Sequence, residues 1–245
     1  RIGFKGGLLM YIDIHCHIIP GIDDGALNYD VAINMLRIAQ KNGTEKIIAT
    51  PHYVHGNTRY GYSTIIEKCA ELNHIAQNHG LDIRVYPGCE VFITPELIDL
   101  YEQKLIVTLA GSEYMLVEFP LISIPIYTDD ILYQLQLKGI TPIIAHPERY
   151  SEIQNNIMLL DNYVSRGIQV QINSGSITGM YGMEAKKTAL RLLEQGLVHY
   201  VASDAHSDRT RSPDLSKAAK IVERKFGSRV REDLFTSNPM KLIKT

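Results

Sequence analysis

The chain has 245 residues, 45% of them hydrophobic, with 25 basic and 27 acidic residues and a net charge of −2. That balance excludes a basic nucleic-acid surface and an acidic tail, and the length suits one core the size of a β/α barrel. Three sparse cysteines (Cys16, Cys69 and Cys89) give no disulfide framework and point to the cytoplasm, and no apolar run approaches the ~18 residues of a membrane span.

Residues 1–9 carry neither a signal-peptide apolar region nor a cleavage site, so they read as a tag remnant or N-terminal extension, with 10–245 as a single domain. A first strand, Ile12 to His17, runs into the turn-like Ile22-Asp23-Asp24-Gly25. Asn28 caps a helix with Val31, Met35, Leu36 and Ala39 on its apolar side, stopped by Gly43. A second strand, from Ile47, ends in Thr50-Pro51-His52, and Thr64 with Glu67 forms a capping box for a helix ending at Gly80. The third strand, from Val85, ends in Gly88-Cys89-Glu90, and Thr94-Pro95 opens a helix. The fourth, Met115 to Val117, ends in Glu118, and Thr128 opens a helix stopped by Gly139. The fifth, Ile143 to Ala145, ends in His146, and one helix then runs from Ser151 to Gly167. Ile168 to Ile172 ends in Asn173, and a helix around Met183 stops at Gly196. Tyr200 to Ala202 leads into Ser203-Asp204-Ala205-His206. Pro213 precedes a last long helix ending near Gly227, and Asn238-Pro239 begins a short terminal helix.

Short Ile- and Val-rich strands alternating with helices indicate a parallel sheet buried on both faces. Seven such units indicate a closed or nearly closed β/α barrel. An open doubly wound sheet gathers its ligands at one switch point, whereas here six strand ends carry metal-type ligands.

His15 and His17 share one side of their strand, because side chains alternate with period two. Glu90 and Glu118 follow apolar strands, where an unpaired charge is costly and a bridging role between cations removes the cost. Asp24 is the better ligand of the Asp23-Asp24 pair, since Asp23 equally suits a turn hydrogen bond. The candidates His15, His17, Asp24, His52, Glu90, Glu118, His146, Asp204 and His206 outnumber what one tetrahedral ion uses, so two or three divalent ions are expected. The N/O donor set without thiolate favours Mn, Fe, Zn or Mg. Ions ~3.5–4 Å apart suit phosphoryl hydrolysis.

Arg149 and Arg211 are candidates for phosphate recognition, against a bland alternative in which Arg149 pairs with Glu148 or Glu152. Tyr53, with Tyr60 and Tyr62, is a candidate wall for an aromatic substrate. His55, His74 and His79 read as surface residues, His199 as a satisfied core residue, and Cys16 and Cys89 as packing groups facing away from the ligands. Cysteine-dependent phosphatases follow their nucleophile with an Arg at the end of a short phosphate loop. The positions that Arg would take here are Ile22, Ile75 and Pro95. No nucleophilic-serine elbow, Walker loop or dinucleotide fingerprint is present either.

Ile12-Asp13-Ile14-His15-Cys16-His17-Ile18-Ile19-Pro20-Gly21-Ile22-Asp23-Asp24-Gly25 resembles the first motif of the capsule- and exopolysaccharide-associated protein-tyrosine phosphatases of the polymerase-and-histidinol-phosphatase (PHP) superfamily. Ala49-Thr50-Pro51-His52, Pro87-Gly88-Cys89-Glu90, Leu116-Val117-Glu118, Ala145-His146-Pro147-Glu148-Arg149-Tyr150, Asn173-Ser174-Gly175-Ser176 and Ser203-Asp204-Ala205-His206 match later motifs in order. The resemblance implies a distorted seven-stranded TIM-like (β/α) barrel with up to three ions, most often Mn. By that match His15, His17, Glu90 and Asp204 hold one ion, Glu90 bridges to a second held by Glu118 and His146, and Asp24, His52 and His206 hold a third. It also implies hydrolysis of phosphotyrosine. No nucleophilic side chain is placed to form a phosphoenzyme, Arg149 with Arg211 is expected to stabilise the phosphoryl charge, and the leaving-group acid is either a metal-bound water or a His or Asp near His206, with Asp204 and His206 as catalytic candidates. The implied partner is an autophosphorylated bacterial tyrosine kinase. The alternatives are a small-molecule phosphomonoesterase such as histidinol phosphatase, or an inactive metal-binding or kinase-docking protein. Oligomeric state has no signature in the sequence.

Overall fold

The computed structural model describes residues 10–243, so the expected extension at 1–9 lies outside the described residues. Strands and helices alternate along the chain. They are β1 (Tyr11–Cys16), α1 (Tyr29–Lys41), β2 (Thr44–Ala49), β3 (His52–Tyr53), α2 (Tyr62–Asn78), β4 (Arg84–Pro87), β5 (Glu90–Phe92) and α3 (Leu97–Glu102). Then come β6 (Tyr114–Glu118), α4 (Thr128–Leu137), β7 (Thr141–Ala145), α5 (Ser151–Asn155), α6 (Met158–Ser165), β8 (Gln169–Asn173) and α7 (Ser174–Thr178). The remainder are α8 (Met183–Glu194), β9 (Tyr200–Ala202), α9 (Ser216–Phe226), α10 (Ser228–Glu232) and α11 (Asn238–Lys241).

The strand pairing is parallel, in the orders β1-β2-β4 and β3-β5-β6-β7-β8-β9. The seven expected strands become nine segments because two of them kink. Pro51 lies between β2 and β3, and Pro87 ends β4 just before β5. A proline has no N–H for the ladder, so a break there is expected. A bridge between Cys16 and Ala205 sets β1 beside the segment after β9. His17 N donates to Ala205 O at 2.9 Å and Asp204 N to His15 O at 2.8 Å across the same seam.

Two apolar layers flank the strands. Ile12, Ile14, Ile48, Leu116, Ile143, Ala145, Tyr200 and Ala202 form an inner cluster with Leu242 and Ile243. Tyr11, Cys16, Ile47, Cys89, Val117 and Val170 face the helices instead. Ile12 and Ile14 lie inside but Cys16 lies outside, so the alternation of β1 changes phase between them, where its pairing with β2 slips register. A β-bulge of this kind re-aims the following side chains, here His15 and His17.

The helices follow their sequence signals with three differences. Asn28 caps α1 as expected, its side chain accepting from Val31 N at 3.0 Å. The Thr64 and Glu67 capping box is not formed. α2 already starts at Tyr62 after Gly61, so Thr64 lies inside the first turn. The helix expected from Ser151 to Gly167 is split into α5 and α6 at Asn156, whose φ/ψ of −142°/90° is extended. α7 follows β8 directly and was not expected from the sequence.

Candidate metal centre

The nine expected ligands come from seven places along the chain and meet at the C-terminal side of the parallel strands. His15 and His17 leave β1, His52 opens β3, Glu90 opens β5 and Glu118 closes β6. His146 follows β7, Asp204 and His206 follow β9, and Asp24 projects from the loop after β1. His146 and Asp204 adopt left-handed backbone, with φ of 34° and 51°. Such strain in non-glycine residues costs about 1–3 kcal/mol each and is characteristic of sites where side-chain direction matters more than stability. Gly25 lets the Asp23–Asp24 loop fold back on β1, since a Cβ there would stand 2.1 Å from His17 O.

Glu90, fully buried, is the hub. Its Oε2 lies 3.1 Å from His15 Nε2, 3.2 Å from His17 Nε2 and 3.0 Å from His52 Nδ1, and its Oε1 lies 2.9 Å from His146 Nε2. Glu118 spans His52 at 3.5 Å and His146 at 3.6 Å. Asp204 Oδ1 is 3.5 Å from each of His15, His17 and His206. Asp24 Oδ1 lies 3.6 Å from His52 Nε2 and 3.4 Å from His206 Nε2.

A chain of hydrogen bonds fixes which nitrogen of His15 faces this hub. The Asp204 carboxylate can only accept, so Asn173 Nδ2 donates to its Oδ2 at 2.7 Å. Asn173 Oδ1 then accepts from Gln171 Nε2 at 2.8 Å, and Gln171 Oε1 accepts from His15 Nδ1 at 2.9 Å. His17 Nδ1 likewise donates to Asp23 Oδ2 at 2.8 Å. Both Nδ1 atoms therefore carry hydrogen, and the two Nε2 atoms, 3.1 Å apart, direct lone pairs at Glu90 Oε2. Glu90 Oε2 is accordingly buried with no hydrogen-bond donor. Lone pairs aimed at a carboxylate oxygen need a positive charge between them, so the residues present fit divalent cations.

The pKa shifts have the same origin. Burial favours neutral His17, but with no cation present the hydrogen bond to Asp23 and the Glu90 carboxylate beside Nε2 favour a second proton on the ring and push it up to about 10. Burial, His17 and Arg211 push His206 down to about 4. Burial and the Glu90 charge raise Glu118, whereas Glu90 itself, against its burial, is held well below the carboxylate range by His15 and His146. The carboxylates demand positive charge, from protons or from cations. Three groups of side chains bring ligand atoms within 4.8 Å of one another: His15, His17 and Asp204; His52, Glu90 and Glu118; and His17, Asp24, His52 and His206. His52 thus adjoins two of these groups rather than only the third of the implied ions.

Arg211 Nη2 reaches Asp204 Oδ1 at 2.8 Å and Arg149 Nη1 reaches Asp204 Oδ2 at 3.3 Å. The bland pairing of Arg149 does not occur. Glu148 accepts from Ser176 Oγ at 2.6 Å and Asn173 N at 2.9 Å, and Glu152 accepts from Ile124 N at 3.0 Å. Asp23, left open by the sequence, orients His17 and also accepts from His52 N at 3.1 Å and Gly25 N at 3.0 Å. Gln171 and Asn173 were missed as partners of the ligands. Their signal was the alternation Gln169-Val170-Gln171-Ile172-Asn173, which puts polar groups on one face of a buried strand.

A cleft of about 480 Å³ opens beside His52, lined by Ile22, Asp23, Val54, Thr58, Arg59 and Tyr60 among others. Tyr60 contributes to it and hydrogen-bonds His52 O, whereas Tyr53 is buried behind it and packs in the outer apolar layer. His55, His74 and His79 are exposed. His199 Nδ1 accepts from Val170 N at 3.2 Å. The three cysteines are free and buried. Burial pushes Cys69 and Cys89 up to about 12 and Cys16 well above the thiol range, so none offers a thiolate.

The sequence profile of the family described as "Capsular polysaccharide synthesis, CpsB/CapC" matches residues 11–244. The chain is 41% identical over 217 residues to tyrosine-protein phosphatase YwqE of Bacillus subtilis, covering 89% of this chain and 85% of that protein. It is 32% identical over 237 residues to tyrosine-protein phosphatase CpsB of Streptococcus pneumoniae, covering 95% and 98%. A solved structure from work on YwqE and CpsB, described as metal-dependent tyrosine phosphatases, superposes with a TM-score of 0.87 at 40% identity, covering 90% of this chain and 89% of that one. A phosphotriesterase homology protein of Escherichia coli shares the fold at a TM-score of 0.58 and 11% identity, covering 97% and 99%.

Proposed function

The chain belongs to the capsular polysaccharide synthesis CpsB/CapC family, and from that premise we propose that it is a metal-dependent protein-tyrosine phosphatase acting on phosphotyrosine. The observation that carries this reading is Glu90 Oε2, buried without a donor and faced by His15, His17 and His52 at 3.0–3.2 Å.

Two or three divalent ions, Mn first among them, would be held by His15, His17, Asp24, His52, Glu90, Glu118, His146, Asp204 and His206. Bound there, they supply Lewis acidity and activate water at neutral pH. The protein's own groups do the rest. Arg149 and Arg211 present guanidinium forks on the Asp204 side and take the equatorial phosphoryl oxygens. The cleft beside His52 receives the tyrosyl ring against Ile22, Val54 and Tyr60. Water oxygen bonds to phosphorus while the P–O(aryl) bond breaks. The electron pair leaves on the phenolic oxygen, and the proton given up by the attacking water is passed to it on the His206 side of the site. The raised, buried thiols support direct hydrolysis without a phosphoenzyme.

The substrate is proposed to be an autophosphorylated bacterial tyrosine kinase met in the cytoplasm. Among the described residues no helix is long and apolar enough to cross a membrane, which suits a phosphatase that meets its kinase without inserting. Residues 10–245 are proposed to act as a single domain. The test pairs metal analysis of unsupplemented protein with turnover of a phosphotyrosine peptide and of an alkyl phosphate monoester. Metal-dependent turnover of the peptide well above the alkyl ester is expected. Equal turnover after exhaustive chelation overturns the metal reading, and preference for the alkyl ester overturns the tyrosine reading.

A further inference from the structure

Tyr181 is not among the candidate ligands, yet both candidate phosphate-binding arginines lie over its ring. The Arg149 guanidinium carbon is 4.5 Å from the ring centroid and that of Arg211 is 5.7 Å away. Residues from the β7 and β9 ends thus converge on an aromatic side chain supplied by a third segment, between α7 and α8.

That segment is built to present the ring. Gly179 and Gly182 flank Met180 and Tyr181 with φ of 96° and 92°, a conformation open to glycine and strained for other residues. Met180 N and Gly179 N both donate to Gly175 O, at 2.8 and 3.0 Å. Gly175 leaves room for the ring, since a Cβ there would stand 2.7 Å from Tyr181 Cε2. The Tyr181 hydroxyl is buried close to the Arg211 guanidinium without a well-formed hydrogen bond, so removing the hydroxyl alone separates that contact from the ring face.

We propose that Tyr181 is a positioning residue, an aromatic platform that holds Arg149 and Arg211 together as a two-pronged receptor for the phosphoryl group. Asp204 cannot do this alone. Its carboxylate is shared with His15, His17, His206 and Asn173, so its charge is divided between the arginines and the ligand cluster. A ring face attracts guanidinium through its quadrupole and competes for no ligand position. Two cations that would repel each other are kept side by side, each with one nitrogen on Asp204 and its remaining N–H groups left for a tetrahedral anion.

The inference rests on the phosphatase reading of the site, and its test separates the two. Metal-loaded wild type, Tyr181→Phe, Tyr181→Leu and Gly175→Ala are titrated with inorganic phosphate by calorimetry, with metal content and thermal midpoint measured on the same samples. Tyr181→Leu is expected to weaken phosphate binding about tenfold at unchanged metal content, and Tyr181→Phe to restore it to within about twofold of wild type. Gly175→Ala, which displaces the ring without removing it, is expected to fall between them and serves if Tyr181→Leu does not fold. In an Arg149→Ala, Arg211→Ala background the Tyr181→Leu effect should vanish. Wild-type affinity in Tyr181→Leu, a loss in Tyr181→Phe as large as in Tyr181→Leu, or a loss that persists without the arginines would each overturn the platform. Wild type that binds phosphate but does not turn over phosphotyrosine peptide overturns the assigned activity and leaves the platform standing.

Discussion

Below Cys16 the inner face of the strands is filled by Ile12, Ile14, Ile48, Leu116, Ile143 and Tyr200, all buried. Above it the same strands end in Glu90, Glu118, His15, His17 and His146, mostly buried as well. One half gains free energy by leaving water, at about 25 cal/mol per Å² of apolar surface. The other half loses solvation and recovers it only where hydrogen bonds and cations replace water. A single scaffold can hold both because backbone pairing along each strand is indifferent to what the side chains do. The lower half supplies stability, and the upper half uses it to keep lone pairs and carboxylates facing one another.

Five measurements would break or sharpen that contrast. Glu90→Gln should lower phosphatase activity by roughly 10³-fold and strip metal from the site, while the metal-free protein stays as stable as wild type or gains stability. Steady-state kinetics, metal analysis and thermal melts decide it, and a large loss of metal-free stability would contradict the division of labour. Ile14→Ala should do the reverse, costing about 2–5 kcal/mol in urea unfolding while the folded fraction keeps its metal and turnover. Gln171→Leu breaks the link between His15 and Asp204. It should reduce metal affinity by about 10–100-fold, read by competition with a chelating dye. Arg59→Ala at the cleft should raise KM for peptides with an acidic neighbour to phosphotyrosine by about threefold and leave kcat unchanged.

The smallest expected effect concerns His199, outside the cluster. Burial lowers its pKa, so the fold prefers the neutral ring. Above the unfolded value of about 6.5 this costs nothing; as pH falls below it the unfolded chain binds a proton that the folded chain resists, and stability drops. His199→Asn, which keeps an acceptor for Val170 N, should narrow the difference in thermal midpoint between pH 7.5 and 5.5 at equal metal loading.

The convergence of the candidate ligands was legible because a charged or imidazole group at the end of an Ile- or Val-rich run has few structural excuses. His15, Glu90 and Asp204 read this way from sequence and lie together in the fold. The α1 cap at Asn28 was legible for a similar local reason. The strand breaks follow from Pro51 and Pro87 themselves, whereas the change of phase in β1 is a cooperative result of pairing with neighbours and leaves only a faint trace in that strand's own residues. Asp23 was ambiguous because the same carboxylate serves a turn and an imidazole, and it does both. Tyr181 was missed because its meaning depends on Arg149 and Arg211 arriving from other strands.

Leu242 and Ile243 sit in the inner apolar cluster beneath Ile12 and Ile14, and Ser203 N donates to Asp13 at 2.9 Å. β1 therefore finds its floor and its neighbour only in residues synthesised long after it. On the ribosome, β1 must wait until β9 and the 242–243 segment have emerged, since contacts of such long sequence separation are slow to close. His15 and His17 cannot meet Asp204 before then. A nascent or truncated chain that stops before β9 lacks Asp204 and His206, and with them two of the three candidate ligand groups, while His52, Glu90 and Glu118 are already present.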